Sequence, residues 1–105
     1  MIKVTHPNGE VLTINYLQYG NGRIALHVSD SEGLPYAMLS VNVPDVELGT
    51  TEVIIKNYGE NAMLEKHICK QLVSMGILSE TGRHVEMPFN RCPVYRIEQN
   101  EVAEI

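Results

Sequence analysis

The chain has 105 residues, of which 44% are hydrophobic and 20% are charged, and 13 acidic against 8 basic side chains give it a formal net charge of −5. This length fits one domain with its own core. No apolar run reaches the roughly 18 residues that a membrane-spanning helix needs, and the sequence does not begin with the apolar stretch of a signal peptide. We therefore expect a cytoplasmic protein without a membrane partner.

The acidic balance argues against direct nucleic-acid binding, because that binding depends on clustered lysine and arginine. An excess of acidic side chains ordinarily serves solubility. The alternative is an acidic surface directed at a basic protein partner, a class that includes nucleic-acid-binding proteins.

Four segments alternate apolar and polar residues with a period of two, which is typical of strands with one buried face. They cover residues 2–5, 10–18, 23–29 and 35–43, and short turns rich in glycine, asparagine and aspartate join them. The first turn contains Asn-Gly, which favours a tight hairpin because both central residues then need a positive φ. This order predicts an N-terminal β-meander. In the fourth segment the alternation assigns Leu39 and Val41 to the core face, and Ser40 and Asn42 to the other.

Residues 51–57 form a fifth predicted strand, rich in β-branched side chains and apolar on both faces of its centre. An amphipathic helix is predicted over residues 60–75, because Leu64, Ile68, Leu72 and Met75 recur at intervals of three and four, and Cys69 and Val73 widen the stripe.

Helix-terminating signals flank this segment. Asn57 and Glu60 have the spacing of a capping box, and Asn61 is a second candidate cap. Gly76 is placed to end the helix in the left-handed conformation.

Two weaker strands are predicted at residues 83–87 and 92–98, pairing with each other or with the main sheet, and Pro93 favours an edge position. Residues 1–98 are thus predicted to form an α+β domain, an antiparallel sheet of five to seven strands with one helix packed on one face. Residues 99–105 are acidic and predicted to be a frayed tail. The predicted core comprises Ile24, Leu26, Val28, Leu39, Val41, Val43, Leu64, Ile68 and Leu72.

No pattern in the sequence is typical of a catalytic, metal or cofactor site. The four histidines lack metal-ligand spacing, there is no phosphate-binding loop, and Cys69 and Cys92 are expected to be free thiols. We therefore expect a protein that is not an enzyme and binds no cofactor. One alternative is a small hydrolase or transferase that uses Cys92 with His84 across the last two strands. Another is a small-molecule-binding domain.

Exposed aromatic and arginine side chains are the best candidates for contacts with a protein partner, because they dominate interface energetics. Tyr36 and Met38 project from the strand face opposite Leu39 and Val41 and are candidates for an interface, which a homodimer would use equally well.

A second group of candidate binding residues lies around the start of the helix. Tyr58 and Asn61 stand there, near the expected position of Arg83 from the Thr-Gly-Arg-His turn. Arg83 is also predicted to form a small basic patch together with Lys56 and Arg91. The plainer interpretation makes Tyr58 a core residue, Asn61 a cap and Arg83 a solvated turn residue.

Several blocks of the sequence together resemble a known family. They are Arg23–Val28, Gly33–Asp45, Lys56–Asn61, Met75–Leu78 and Thr81–Arg83, and the Tyr-Ala-Met-Leu-Ser-Val-Asn-Val-Pro and Asn-Tyr-Gly-Glu-Asn stretches are the most specific. Over about residues 20 to 97 the chain is similar to a small uncharacterised family, a domain of unknown function encoded on bacterial plasmids, phages and conjugative elements.

The resemblance implies a genetic setting, and it brings no reaction, cofactor or active-site residue. Small acidic proteins of mobile elements often bind and block host machinery, including defence nucleases. By that analogy the resemblance favours a protein-interaction module that inhibits a host factor or defence system.

Overall fold

The computed structural model describes residues 2–88 and 90–98, which form two four-stranded antiparallel sheets and one helix. Sheet A has the order β1-β2-β3-β4, with β1 at Ile2–Thr5, β2 at Val11–Gln18, β3 at Ile24–Ser29 and β4 at Pro35–Met38. Sheet B has the order β5-β6-β8-β7, with β5 at Ser40–Val41, β6 at Glu52–Ile55, β7 at Leu78–Glu86 and β8 at Arg91–Ile97. The helix α1, Ala62–Ser74, connects β6 to β7.

The α+β class and the N-terminal meander are confirmed. The strands differ from the prediction in number and grouping. The described residues form eight strands in two sheets, whereas five to seven strands in one sheet were predicted. The predicted tail at residues 99–105 lies outside the described residues.

The division into two sheets occurs inside the predicted fourth strand, at Leu39. Its N–H donates to the Leu26 carbonyl of sheet A, at 2.9 Å, and its carbonyl accepts the Lys56 N–H on the sheet B side, at 2.8 Å. Beyond this point the chain leaves β3, and the Ser40 hydroxyl accepts the Leu26 N–H at 2.9 Å. The Tyr19 hydroxyl forms a hydrogen bond with the same Ser40 hydroxyl at 2.7 Å. Ser40, assigned to the polar face from the sequence, is therefore buried, because its hydroxyl replaces a missing backbone partner.

The main core lies between the inner faces of the two sheets and α1. Five of the nine predicted core residues are buried: Leu26, Val28, Leu39, Ile68 and Leu72. The other four are half-buried; Ile24 and Leu64 pack at the margin of the main core, whereas Val41 and Val43 belong to a second cluster.

This second cluster covers the other face of sheet B. Ile54, Val85, Cys92 and Val94 form its buried part, and apolar side chains of residues 41–48 pack over them. The Arg23 guanidinium holds that segment by donating to the carbonyls of Val43 and Val46. Sheet B is therefore apolar on both faces, which explains why all of β6 from Val53 to Ile55 is buried, as its sequence predicted.

The predicted cap is present at the C-terminal end of α1, whereas the side-chain cap predicted at its N-terminal end is not. Gly76 has φ +76°, its N–H donates to the Val73 carbonyl, and the Ile77 N–H donates to the Leu72 carbonyl. Both hydrogen bonds of a Schellman motif are thus present, as predicted. At the other end Asn61 occupies the N-cap position without a side-chain hydrogen bond.

The predicted capping box is not formed, because its asparagine is used elsewhere. The Asn57 side chain donates to the Arg91 carbonyl at 2.8 Å and accepts the Cys92 thiol at 3.3 Å. It ties the chain after β6 to the start of β8.

The last two strands are longer and more central than predicted. β8 lies between β6 and β7, so the edge position expected from Pro93 is wrong. Proline is tolerated there because the β6 pairing ends with Ile54 opposite Val94, one residue before Pro93 is reached. On the β7 side the register shifts between Glu80 and His84, so that three residues of β7 lie opposite the single residue Val94, and Gly82 has φ +81°.

Candidate functional site

A groove of about 760 Å³ lies between α1 and sheet B. Its volume falls within the usual range of ligand sites, which is about 300–1,000 Å³. Three of the four lysines of the chain line it, namely Lys56, Lys66 and Lys70. We call it the lysine groove.

Four side chains on the helix wall of the lysine groove are spaced by three, four and three residues. Met63, Lys66, Lys70 and Val73 line the groove in this order. At 100° per residue these positions share one side of the helix. Met63 is 82% exposed and Val73 is 40% exposed, so two apolar side chains flank the two lysines without being buried. The predicted core stripe included Val73 and Met75, yet both are exposed because the buried side of α1 is centred on Glu65, Ile68 and Leu72.

The sheet wall of the lysine groove is mainly apolar and carries one carboxylate. Ile55 of β6 and Pro93 and Tyr95 of β8 form the apolar part, and Glu80 lies on β7 directly across from Tyr95. The Tyr95 hydroxyl donates to Glu80 Oε1 at 3.4 Å. Burial raises the pKa of Tyr95, and the nearby Cys69 and Glu80 raise it further, so this phenol keeps its proton at neutral pH.

Lys56 is the only lysine of the groove that is held by an ion pair in the described chain. Its Nζ lies 3.1 Å from Oε2 of Glu65, a helix residue whose side chain is fully buried. The same Nζ lies 5.8 Å from the centre of the Tyr58 ring, within the range of a cation–π contact. The second carboxylate oxygen of Glu65, Oε1, has no hydrogen-bond partner among residues 2–88 and 90–98.

Lys66 and Lys70 are exposed and make no ion pair or hydrogen bond with the described residues. Lysines four residues apart on a helix are neighbours, about 6 Å apart along its axis. Their charges add, and no nearby acid on α1 offsets them because Glu65 faces Lys56. Glu80 is the single carboxylate among the described lining residues, so Lys66 and Lys70 leave the groove with a net positive charge on an acidic chain.

The groove has one thiol among its described lining residues, and this thiol is not activated for nucleophilic attack. Cys69 lines it, but burial raises the pKa of this thiol to about 12, with Glu65 adding to the shift. The thiolate that would be needed for attack is absent at neutral pH. Among residues 2–88 and 90–98 no cluster of histidine, cysteine, aspartate or glutamate has the arrangement to hold a metal ion.

The structure does not bring Cys92 and His84 together. In the β7–β8 pairing Cys92 lies opposite Val85 and His84 lies opposite Pro93, so their side chains project from opposite faces of sheet B. Cys92 is buried in the second cluster and burial raises the pKa of its thiol, although a hydrogen bond from the Asn57 backbone lowers this pKa in part. The hydrolase or transferase alternative requires these two side chains to lie within hydrogen-bonding reach of each other, and the strand pairing does not support that arrangement.

Tyr36 and Met38 lie on β4 at the outer face of sheet A, which α1 does not cover. Tyr36 is 37% exposed and Met38 is half-buried. The Tyr36 ring makes an edge contact with His6. These two residues are far along the chain from the lysine groove and do not line it.

The predicted basic patch of Lys56, Arg83 and Arg91 is not assembled, because each cation has its own acidic partner. Arg83 donates to Glu52 at 2.9 Å and to the Glu47 carbonyl at 3.0 Å, which fixes the segment over the second cluster. Arg91 pairs with Glu86 at 3.0 Å.

Tyr58 and Asn61 agree in part with the plainer interpretation, in which Tyr58 is a core residue and Asn61 is a helix cap. Tyr58 is half-buried against the second cluster, and Asn61 is exposed at the N-cap position. In the described part of the chain, none of the hydrogen bonds of Arg83 goes to either residue.

The lysines of the groove are visible in the sequence, but the pattern of the helix does not distinguish them from charged residues on an ordinary solvated face. Lys66 and Lys70 lie on the polar side of the predicted helix, and charged residues there are usually only solvated. The distinguishing feature is that three of four lysines fall within residues 56–70. Only the packing of α1 beside β6 and β8 shows that they line one groove.

The chain matches no protein-family model, no curated protein and no solved structure. In the part of the chain that the structure describes, no helix is long and apolar enough to cross a membrane.

Proposed function

We propose that this chain is a non-catalytic protein-interaction module that binds an acidic segment of a partner protein in the lysine groove. The observation that carries the proposal is that Lys66 and Lys70, which make no ion pair with the described residues, lie on the same side of α1 as the exposed apolar side chains of Met63 and Val73. Interfaces combine apolar anchors with charges that select the partner. An acidic partner complements this site, whereas the overall charge of the chain had favoured a basic one.

The sequence resemblance supports a partner in the host cell of a mobile element, and inhibition of that partner is the corresponding biological role. The remaining predicted binding residues are secondary in this proposal. Arg83 and Arg91 are engaged with acidic residues of the same chain, and Tyr36 and Met38 belong to a different surface.

The test is affinity purification from the native host with two matched charge-reversal variants. Lys66→Glu/Lys70→Glu removes the positive site of the groove. Lys3→Glu/Arg96→Glu makes the same change in net charge at exposed residues outside the groove. We expect a partner that is retained by the wild-type protein and by the second variant and is lost from the first.

A partner retained equally by both variants would contradict the placement of the site. Recovery of no specific partner by the wild-type protein would contradict the interaction role itself. Circular dichroism and urea unfolding of all three proteins control for folding. All four residues are exposed, and the largest loss of stability is expected for Arg96→Glu, which places a carboxylate opposite Glu52 and removes the ion pair with Glu98.

A further inference from the structure

Four side chains on the helix wall of the lysine groove have a symmetric spacing, which is the same in both directions along α1. Met63, Lys66, Lys70 and Val73 are separated by three, four and three residues, with the apolar residues outside and the lysines inside. The stripe is about 15 Å long and its two lysines are about 6 Å apart along the helix axis. A segment that matches it must present two carboxylates about 6 Å apart between two apolar side chains.

We infer that the occupant of the lysine groove is an acidic amphipathic helix of a partner protein that lies along α1, and this inference rests on the proposed function. A helix with apolar, acidic, acidic and apolar residues at intervals of three, four and three presents the same spacing as α1. Each carboxylate then faces one lysine, and each apolar side chain meets Met63 or Val73. Because the pattern is symmetric, it fits with the partner helix parallel or antiparallel.

A second copy of this chain is a poor occupant of the same groove. Pairing α1 with its own copy along this stripe places Lys66 and Lys70 against the same two lysines, and like charges in register repel. The single acidic residue of α1 does not offset this repulsion, because Glu65 is buried against Lys56. The charge on the stripe therefore selects a helix of opposite charge pattern.

Tyr95 and Glu80 on the sheet wall restrict how the partner helix is oriented. Glu80 repels an acidic side chain placed on its side of the groove, while Lys66 and Lys70 on the helix wall attract it. The carboxylates of the partner are thus directed to α1, and its apolar face is left for Ile55, Pro93 and Tyr95. The two walls together recognise an amphipathic segment rather than acidic charge alone.

The test uses two synthetic alanine-based peptides of about 15 residues, a length at which an isolated helix begins to form. The patterned peptide carries leucine, glutamate, glutamate and leucine at intervals of three, four and three. The rearranged peptide has the same composition with the glutamates two residues apart and the leucines adjacent. Binding of each labelled peptide to the full chain is measured by fluorescence anisotropy at low and moderate salt.

We expect the patterned peptide to bind at least about tenfold more tightly than the rearranged one, with affinity falling as salt rises. Lys66→Glu/Lys70→Glu should weaken its binding at least about tenfold, and Lys3→Glu/Arg96→Glu should leave it unchanged. Met63→Ser should weaken it about threefold to tenfold, because an exposed apolar anchor is lost. Met75→Ser is the matched control, since Met75 is 46% exposed and lies outside the groove.

The outcomes separate this inference from the proposed function. Equal binding of the two peptides, both abolished by Lys66→Glu/Lys70→Glu, would overturn the helical occupant and leave an acidic segment as the ligand. Absence of binding by the patterned peptide would overturn the inference, while the partner capture described above would still decide the proposed function. Binding that is unaffected by Lys66→Glu/Lys70→Glu would contradict both.

Discussion

At the scale of single residues, the buried pair of Glu65 and Lys56 is the most informative feature of the molecule. Glu65 is fully buried with one oxygen unpartnered, and Lys56 retains 25% of its side-chain exposure at the groove. A buried ion pair contributes little net stability, because desolvation offsets the attraction between the charges. Removing only one partner is costly, because the remaining charge stays buried.

The first prediction concerns this asymmetry. We expect Lys56→Met to lower the free energy of unfolding by about 2–3 kcal/mol, since Glu65 loses its counter-ion. The double variant Lys56→Met/Glu65→Leu should recover most of that loss. Urea unfolding at pH 7 measures both, and Lys66→Met is the control because its lysine is exposed and unpaired. A double variant less stable than Lys56→Met would contradict this account.

The second prediction concerns Ser40, whose hydroxyl completes the hydrogen bonding of β3 where the chain changes sheets. Ser40→Ala leaves the buried Leu26 N–H without a partner and should cost about 2 kcal/mol. Ser31→Ala is the comparison, because that hydroxyl is exposed, and its effect should stay within about 0.5 kcal/mol. Equal effects in chemical denaturation would show that Ser40 has no such role.

At the scale of elements, α1 is held firmly at its C-terminal end and weakly at its N-terminal end. Two backbone hydrogen bonds form the Schellman motif around Gly76, whereas Asn61 makes no side-chain cap. The Gln71 amide also ties α1 to sheet A, because it accepts the Thr5 N–H at 2.9 Å and donates to the Thr5 carbonyl at 2.7 Å. It thereby covers part of the open edge of β1.

The third prediction follows from the left-handed conformation of Gly76. We expect Gly76→Ala to destabilise the protein by about 1–2 kcal/mol, because a side chain is disfavoured at φ +76°. Gly20→Ala is the matched control, since Gly20 has neither a positive φ nor a neighbour within 4 Å of an added Cβ. Thermal unfolding of the two variants makes the comparison, and similar midpoints would contradict the prediction.

At the scale of the whole molecule, the two sheets and α1 bury both thiols, and α1 and sheet B form the walls of the lysine groove. Cys69 packs in the main core and Cys92 in the second cluster, and both cysteines are free. Burial raises the pKa of each thiol. Folding is therefore linked to pH in the alkaline range.

The fourth prediction gives the sign of that linkage. Between an ordinary pKa of 9.0 and about 12, the folded Cys69 thiol keeps its proton while the unfolded one has lost it. The free energy of unfolding should therefore fall as pH rises above 9.0, by up to about 1.4 kcal/mol per pH unit from this group. Cys69→Ala should have a shallower pH profile than the wild-type protein in urea unfolding from pH 7 to 11. Parallel profiles would contradict the assignment.

Much of the fold could be predicted from local patterns. Period-two alternation located the first three strands, the apolar faces of residues 51–57 indicated a strand covered on both sides, and Gly76 marked the helix end. Hydrophobic period and turn chemistry depend on neighbouring residues alone, so they can be interpreted without the tertiary structure. The capping at the start of α1 could not be predicted, because Asn57 makes its hydrogen bonds to β8 rather than to the helix.

By itself, the sequence determined the α+β class, the meander and the amphipathic helix, because each is encoded in nearby residues. Tertiary structure alone decided that the chain changes sheets at Leu39, that β8 is central, and that Cys92 and His84 face apart. It also decided that Lys56, Lys66 and Lys70 share one groove. These features depend on which distant segments meet, and the pairing of β6 with β8 across an intervening helix has no signature in the local pattern.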